Sequence, residues 1–115
     1  MQLDRDTETL IDIAGAARLV IDFKKGFDFR AFAADRKTQS SVVHQMLVIG
    51  EAVKRLSPSF CAAHPQIPWS LYAKMRDKMI HRYDEIVAEE VWKSACDDIP
   101  SLLSFVESLL PPQAP

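Results

Sequence analysis

Val42, Met46, Ile49, Val53 and Leu56 follow one another at intervals of four, three, four and three residues. Side chains spaced in this way line one face of an α-helix, whereas a strand would bring every second residue to the same face. The pattern recurs along the chain. Thr9, Leu10, Ile13, Ala14, Ala17, Val20 and Ile21 repeat at three and four, and so do Val91, Ala95, Ile99, Leu102, Val106 and Leu109. No segment sustains apolar–polar alternation, and only three glycines interrupt the chain. The fold class this dictates is all-α.

The spacing predicts four main helices. The first starts near Asp6 or Thr7, with one of these as its cap. It carries Lys24 and Lys25 in its last turn, against the negative end of the helix dipole, and stops at Gly26. Residues 28–32 form a link of about one helical turn. The second helix runs from Asp35 to Leu56 and is stopped by Ser57-Pro58. Gly50 lies inside it, where glycine costs about 1 kcal/mol relative to alanine, so another helix is expected to approach closely there. Three prolines make the segment up to Pro68 a loop with at most a short turn. The third helix opens after Pro68 and runs from Trp69 to about Tyr83. The fourth runs from near Val87 to Leu109 and is kinked at Pro100, a new start capped by Asp97 or Asp98 being the alternative. Amphipathic helices of this size with short links pack as an up-and-down bundle. Residues 1–110 make one domain, and 111–115 are a frayed tail.

Composition narrows the functional classes. Of the 115 residues 48% are apolar, enough for a single core, and the net charge of −2 argues against a protein that coats DNA nonspecifically. No apolar run approaches the roughly 18 residues of a membrane span, and the acidic start, with Asp4, Asp6 and Glu8, is unlike a signal peptide. Cys61 and Cys96 are too few and too far apart for a disulfide framework or a zinc site. A cytoplasmic protein with reduced thiols is expected.

The chemistry is concentrated between residues 74 and 83. Lys74, Arg76, Lys78, His81 and Arg82 make the third helix cationic within an acidic protein, and only Asp77 opposes them in that stretch. Trp69, Tyr72, Arg76, Met79 and Tyr83 share one stripe, so Arg76 is the polar member of an apolar line. Its bland reading is a packed stem with the head in water or paired with a carboxylate such as Glu51. Its functional reading is a phosphate contact. His81 is either a structural histidine favoured by a helix C-terminus or a proton carrier. An imidazole with a guanidinium is the minimum apparatus for cleaving RNA without a metal: the histidine moves the proton and the arginine stabilises charge on the phosphate. On an ideal helix, however, residues five apart point about 140° away from each other. Either the helix unwinds by His81, or two protomers bring the groups together across a two-fold axis. His44 and His64 have no partners at ligand spacing and read as surface or packing residues, and Met46, Met75 and Met79 read as core.

Arg76, four intervening residues, then His81, Arg82 and Tyr83 fit the R-x4-H-x-Y signature, and here the chain resembles the HepT-like toxins of the HEPN superfamily. The likeness extends through Asp35-Arg36-Lys37-Thr38, Ile49-Gly50-Glu51-Ala52, Arg55-Leu56-Ser57, Pro68-Trp69, Val91-Trp92 and Asp98-Ile99-Pro100 with Leu102. It covers residues 5 to 110. The resemblance implies a dimeric helical bundle in which the motifs of two protomers line a shared cleft, and a metal-independent endoribonuclease using Arg76 and His81 without a cofactor. It also implies a partner, a minimal nucleotidyltransferase antitoxin that can transfer AMP onto Tyr83, whose added bulk and charge would exclude RNA. Lys74, Lys78 and Arg82 are the candidate RNA contacts. Glu51 either orients Arg76 by a charge-assisted pair or is a solvated glutamate. A non-catalytic helical module that binds nucleotide or its partner through the same cleft is the alternative function.

Overall fold

The computed structural model describes residues 4–81 and 88–111, without the side chains of Ile80 and His81. The described residues form seven helices: α1 (Arg5–Lys24), α2 (Phe29–Ala34), α3 (Arg36–Arg55), α4 (Pro58–Ala63), α5 (Trp69–His81), α6 (Ala88–Cys96) and α7 (Asp98–Leu109). Four carry the bundle, if α6 and α7 are counted as one broken rod. The two six-residue helices, α2 and α4, occupy the links. The expected end of the third helix at Tyr83 and the start of the fourth at Val87 lie outside the described residues, as do residues 112–115 of the expected tail.

Side-chain caps set most boundaries. Asp28, Asp35 and Ser57 each accept a hydrogen bond from the backbone N–H three residues on, opening α2, α3 and α4. The cap of α1 is Asp4, not Asp6 or Thr7 as the spacing suggested. Asp4 accepts from Thr7 N at 2.8 Å and Thr7 Oγ1 at 3.0 Å. Asp6 is engaged elsewhere: it accepts from Ser57 N at 2.9 Å and Ser57 Oγ at 2.6 Å, tying the first turn of α1 to the link after α3. Gly26 follows the C-cap of α1 with φ 80°, a left-handed conformation that glycine takes without steric cost.

The long rod expected from Val87 to Leu109 is interrupted at Asp97, between α6 and α7. Pro100 accounts for the position: it has no N–H to donate to the Cys96 carbonyl, and its ring crowds that carbonyl. Neither expected cap is made, since Asp97 is helical in conformation and its side chain accepts no capping bond. Backbone bonds from Asp97 N to Lys93 O, 2.9 Å, and from Ser101 N to Asp97 O, 3.4 Å, still thread the joint. The apolar register therefore survives, with Val91, Ala95, Ile99, Leu102 and Val106 all buried.

The predicted stripes meet in one core. Ile13, Val20, Phe32, Val42, Met46, Ile49, Ile99, Leu102 and Val106 are its largest fully buried side chains. Met79 is buried as well, and Met75 packs against the cluster from its edge. His64 belongs to this packing too. Its ring lies 4.6 Å from that of Phe60 and 5.3 Å from that of Phe105, as its bland reading required. His44 is exposed on α3. No helix among the described residues is long and apolar enough to cross a membrane.

Candidate active site

The site is built where α5 crosses α3, and Gly50 is what allows the crossing to be close. A Cβ on residue 50 would overlap the Cβ of Arg76 and lie 2.9 Å from the Tyr72 carbonyl oxygen and 3.1 Å from the Arg76 Cγ. The close approach expected from a glycine inside a helix is therefore made by α5, and the residue seated against Gly50 is Arg76 itself. One turn earlier, the buried Tyr72 donates its hydroxyl to the Asp98 carbonyl at 2.9 Å, which fixes α5 to the α6–α7 joint. Burial, reinforced by the nearby Asp98 charge, pushes that phenol up to about 12.

From this seat the Arg76 side chain, 29% exposed, reaches two carboxylates. Its Nε donates to Glu51 Oε2 at 3.0 Å and its Nη1 to Asp77 Oδ1 at 3.0 Å. Lys54, at the end of α3, donates to the same Asp77 oxygen at 2.6 Å. The hydrogen bonds from Lys54 and Arg76 hold the Asp77 carboxyl below the usual carboxylate range, so it stays charged into mild acid. Two helices thus contribute a chain of alternating charge, Glu51–Arg76–Asp77–Lys54, with each partner partly in water. As a stabilising element such a chain is worth about 0–1 kcal/mol per pair. What it does well is fix direction, since two bonds on two different nitrogens define the plane of the guanidinium.

Of the candidates named from the sequence, Arg76 and Glu51 are brought together. Lys78 lies further along α5 and pairs with Glu90 of α6 at 2.7 Å. Lys74 is exposed and has no carboxylate partner among the described residues. The side chain of His81, and all of Arg82 and Tyr83, lie outside the described residues. The backbone of α5 remains helical through His81, so helix unwinding by that residue, one of the two ways of bringing it to Arg76, is not the solution adopted. The surface around Arg76 is also less basic than the third helix alone suggested. Glu51 and Glu90 oppose it from neighbouring helices in addition to Asp77, so Lys54, Lys74, Arg76 and Lys78 face three carboxylates.

Lys54 is the member that sequence reasoning missed. Its partner stands 23 residues away, and no local spacing rule links the two. The one available hint was the interval from Gly50, which puts Lys54 one helical turn along α3 from the crossing. Beside the site a cleft of about 580 Å³ runs between α1 and α3, where Ile11, Gly15, Leu47 and Val48 form an apolar wall and Glu51 and Arg76 contribute polar groups.

A helical bundle with an arginine oriented by carboxylates at a helix crossing is the kind of protein this geometry defines. The comparison with known families is more specific. The family described as ribonuclease HepT-like matches residues 13–109. A protein of Thermococcus cleftensis named "Probable ribonuclease HepT" is 42% identical over 100 residues, covering 87% of this chain and 91% of that protein. A protein of Methanocaldococcus jannaschii named as a putative RNase is 38% identical over 101 residues, covering 88% of this chain and 84% of its own length. No solved structure matches the chain. The chain belongs to the HepT-like ribonuclease family, within the HEPN superfamily that its motif resembled.

Proposed function

We propose that this protein is the toxin of a toxin–antitoxin pair, a metal-independent endoribonuclease that works as a homodimer in the cytoplasm. The observation that carries the reading is the state of Arg76. Its Nε and Nη1 are held by Glu51 and Asp77, which leaves Nη2 without an acceptor among the described residues and pointed by its two fixed neighbours. An arginine held in this way is prepared for a phosphodiester, because it need not reorganise as charge grows on the phosphoryl oxygens. In the reaction the RNA 2′-hydroxyl loses its proton to a base, its oxygen bonds to phosphorus, and the P–O5′ bond breaks as the leaving oxygen takes up a proton. His81 carries the proton and Arg76 stabilises the phosphorane-like charge. The names of the relatives as ribonucleases support the reaction class.

The dimer follows from the helix geometry. With α5 helical through His81, Arg76 and His81 of one chain point about 140° apart, and a second copy supplies the missing group. The natural antagonist is a minimal nucleotidyltransferase that places AMP on Tyr83. Intact-mass measurement with and without that enzyme checks this, and an unchanged Tyr83 peptide would remove modification from the scheme.

Cleavage of RNA in EDTA by the purified protein, repeated with His81→Ala, tests the reaction. The wild type is expected to cut with chelator present, and the variant to lose at least about a hundredfold, the usual contribution of a general acid–base group. Equal cutting by both would exclude His81, and absence of cutting by the wild type would remove the enzymatic reading.

A further inference from the structure

Resting on that reading, we propose that Lys54 is a substrate-binding residue of the same site. With Arg76 it forms a two-cation cradle for one RNA phosphate, and Asp77 fills the cradle while RNA is absent. The geometry is specific. Lys54 Nζ and Arg76 Nη1 converge from α3 and α5 on a single oxygen, Asp77 Oδ1, at 2.6 and 3.0 Å. An anionic oxygen is therefore already seated where both cations aim, and a non-bridging phosphate oxygen has the same charge and the same acceptor geometry. The pair is open to such an exchange: the Lys54 side chain is 36% exposed and that of Asp77 45%. Asp77 lies on the surface of α5, so its side chain can swing towards water without disturbing the core.

Charge defines what Asp77 does. Glu51, Arg76, Asp77 and Lys54 together are neutral, so the resting cluster has no surplus to attract a polyanion. A phosphate that displaces the Asp77 carboxylate restores the neutral count at the cations and leaves Glu51 in place to hold Arg76. In this arrangement Glu51 is the positioning residue, Lys54 and Arg76 bind, and Asp77 competes with substrate. The neighbouring Lys78 is engaged by Glu90 at 2.7 Å, which makes it the weaker candidate for the second cation.

The experiment measures binding of a short single-stranded RNA as a function of salt, together with cleavage, for wild type, Lys54→Gln, Lys54→Arg and Asp77→Asn. Lys37→Gln, near the start of α3, serves as the control for general charge. Loss of one phosphate contact lowers the slope of log affinity against log salt by about 0.7 for single strands. Lys54→Gln is expected to show that decrease and bind roughly five- to tenfold more weakly, the order expected for one exposed charge-assisted contact. Lys54→Arg should keep the slope, and Lys37→Gln should leave it unchanged. Asp77→Asn is expected to bind several-fold more tightly, because the competing charge is gone.

If Lys54 acts only by bracing Asp77 against Arg76, Lys54→Gln and Asp77→Asn will weaken binding together and the Lys54→Gln slope will equal that of wild type. That result overturns the cradle and leaves the ribonuclease reading intact. A wild-type protein that neither binds nor cuts RNA overturns both. The Lys54–Asp77 pair is exposed and far from the core, so both variants are expected to fold, and circular dichroism confirms this before binding is measured.

Discussion

A methyl group at position 50 would meet the Arg76 Cβ and the Tyr72 carbonyl oxygen, the latter at 2.9 Å, and neither is the free end of a flexible chain. Gly50 therefore trades helix propensity, about 1 kcal/mol, for a crossing that places Arg76. Gly50→Ala recovers that propensity but must push α5 away from α3. Overpacking of this kind costs about 1–3 kcal/mol, so the net expectation is a loss of up to about 2 kcal/mol in a denaturant titration. RNA cleavage should fall further than stability does, by tenfold or more in kcat/KM, because the guanidinium moves with its helix. A Gly50→Ala protein more stable than wild type would show that the two helices are not held at this distance. The glycine and the likelihood of a close approach were legible in the sequence from the cost of glycine in a helix. That the approaching residue is Arg76 was not, because helix spacing does not say which turn of a distant helix comes to lie opposite. Glu51 was named as a possible partner on the same footing, and its 3.0 Å bond to Arg76 came from the crossing.

At the scale of elements, what could be read was what neighbouring residues decide, and what could not was decided at a distance. The caps Asp35 and Ser57 and the stop at Gly26 follow from local chemistry. The start of α1 did not, because Asp4, Asp6 and Thr7 all have capping side chains. Asp6 is withdrawn from the choice by Ser57, 51 residues away. The break between α6 and α7 shows both sides. Pro100 was visible, while the joint's role in receiving the Tyr72 hydroxyl at Asp98 depends on α5. That contact gives the bundle a pH signature. Tyr72 is raised from 10.0 to about 12 in the folded chain, chiefly by burial. Between pH 10 and 12 the unfolded chain has released this proton and the folded chain has not, so stability falls as pH rises through that window and is unaffected below it. The loss by pH 12 is on the order of 2–3 kcal/mol. In Tyr72→Phe this contribution to the alkaline slope should vanish, while stability at neutral pH drops by about 1 kcal/mol for the lost hydrogen bond. Urea titrations at pH 8 and pH 11.5 distinguish the two effects, and an unchanged alkaline slope in the variant would mean that the titration belongs to another group.

The whole molecule raises a question that one copy does not answer. The core is continuous through the four main helical layers, and Arg76 is in place on it, yet the motif's second member lies on another side of the same helix. A shared site makes a sharp prediction about mixtures. Arg76→Ala and His81→Ala are each expected to be inactive as homodimers. When the two are co-expressed with different tags and the mixed dimer is isolated, one of its two clefts receives an intact Arg76 from one chain and an intact His81 from the other. The other cleft receives neither. About half of wild-type cleavage is therefore expected if each cleft uses one residue from each chain. If a single chain supplies both groups, every cleft in the mixed dimer lacks one of them and no activity returns. The outcome is independent of affinity for RNA, since Lys54 and Glu51 are intact in both chains. A mixed dimer that forms, folds and stays inactive would thus return the catalytic pair to one chain, and with it require a change in α5 that the helical backbone through His81 does not contain.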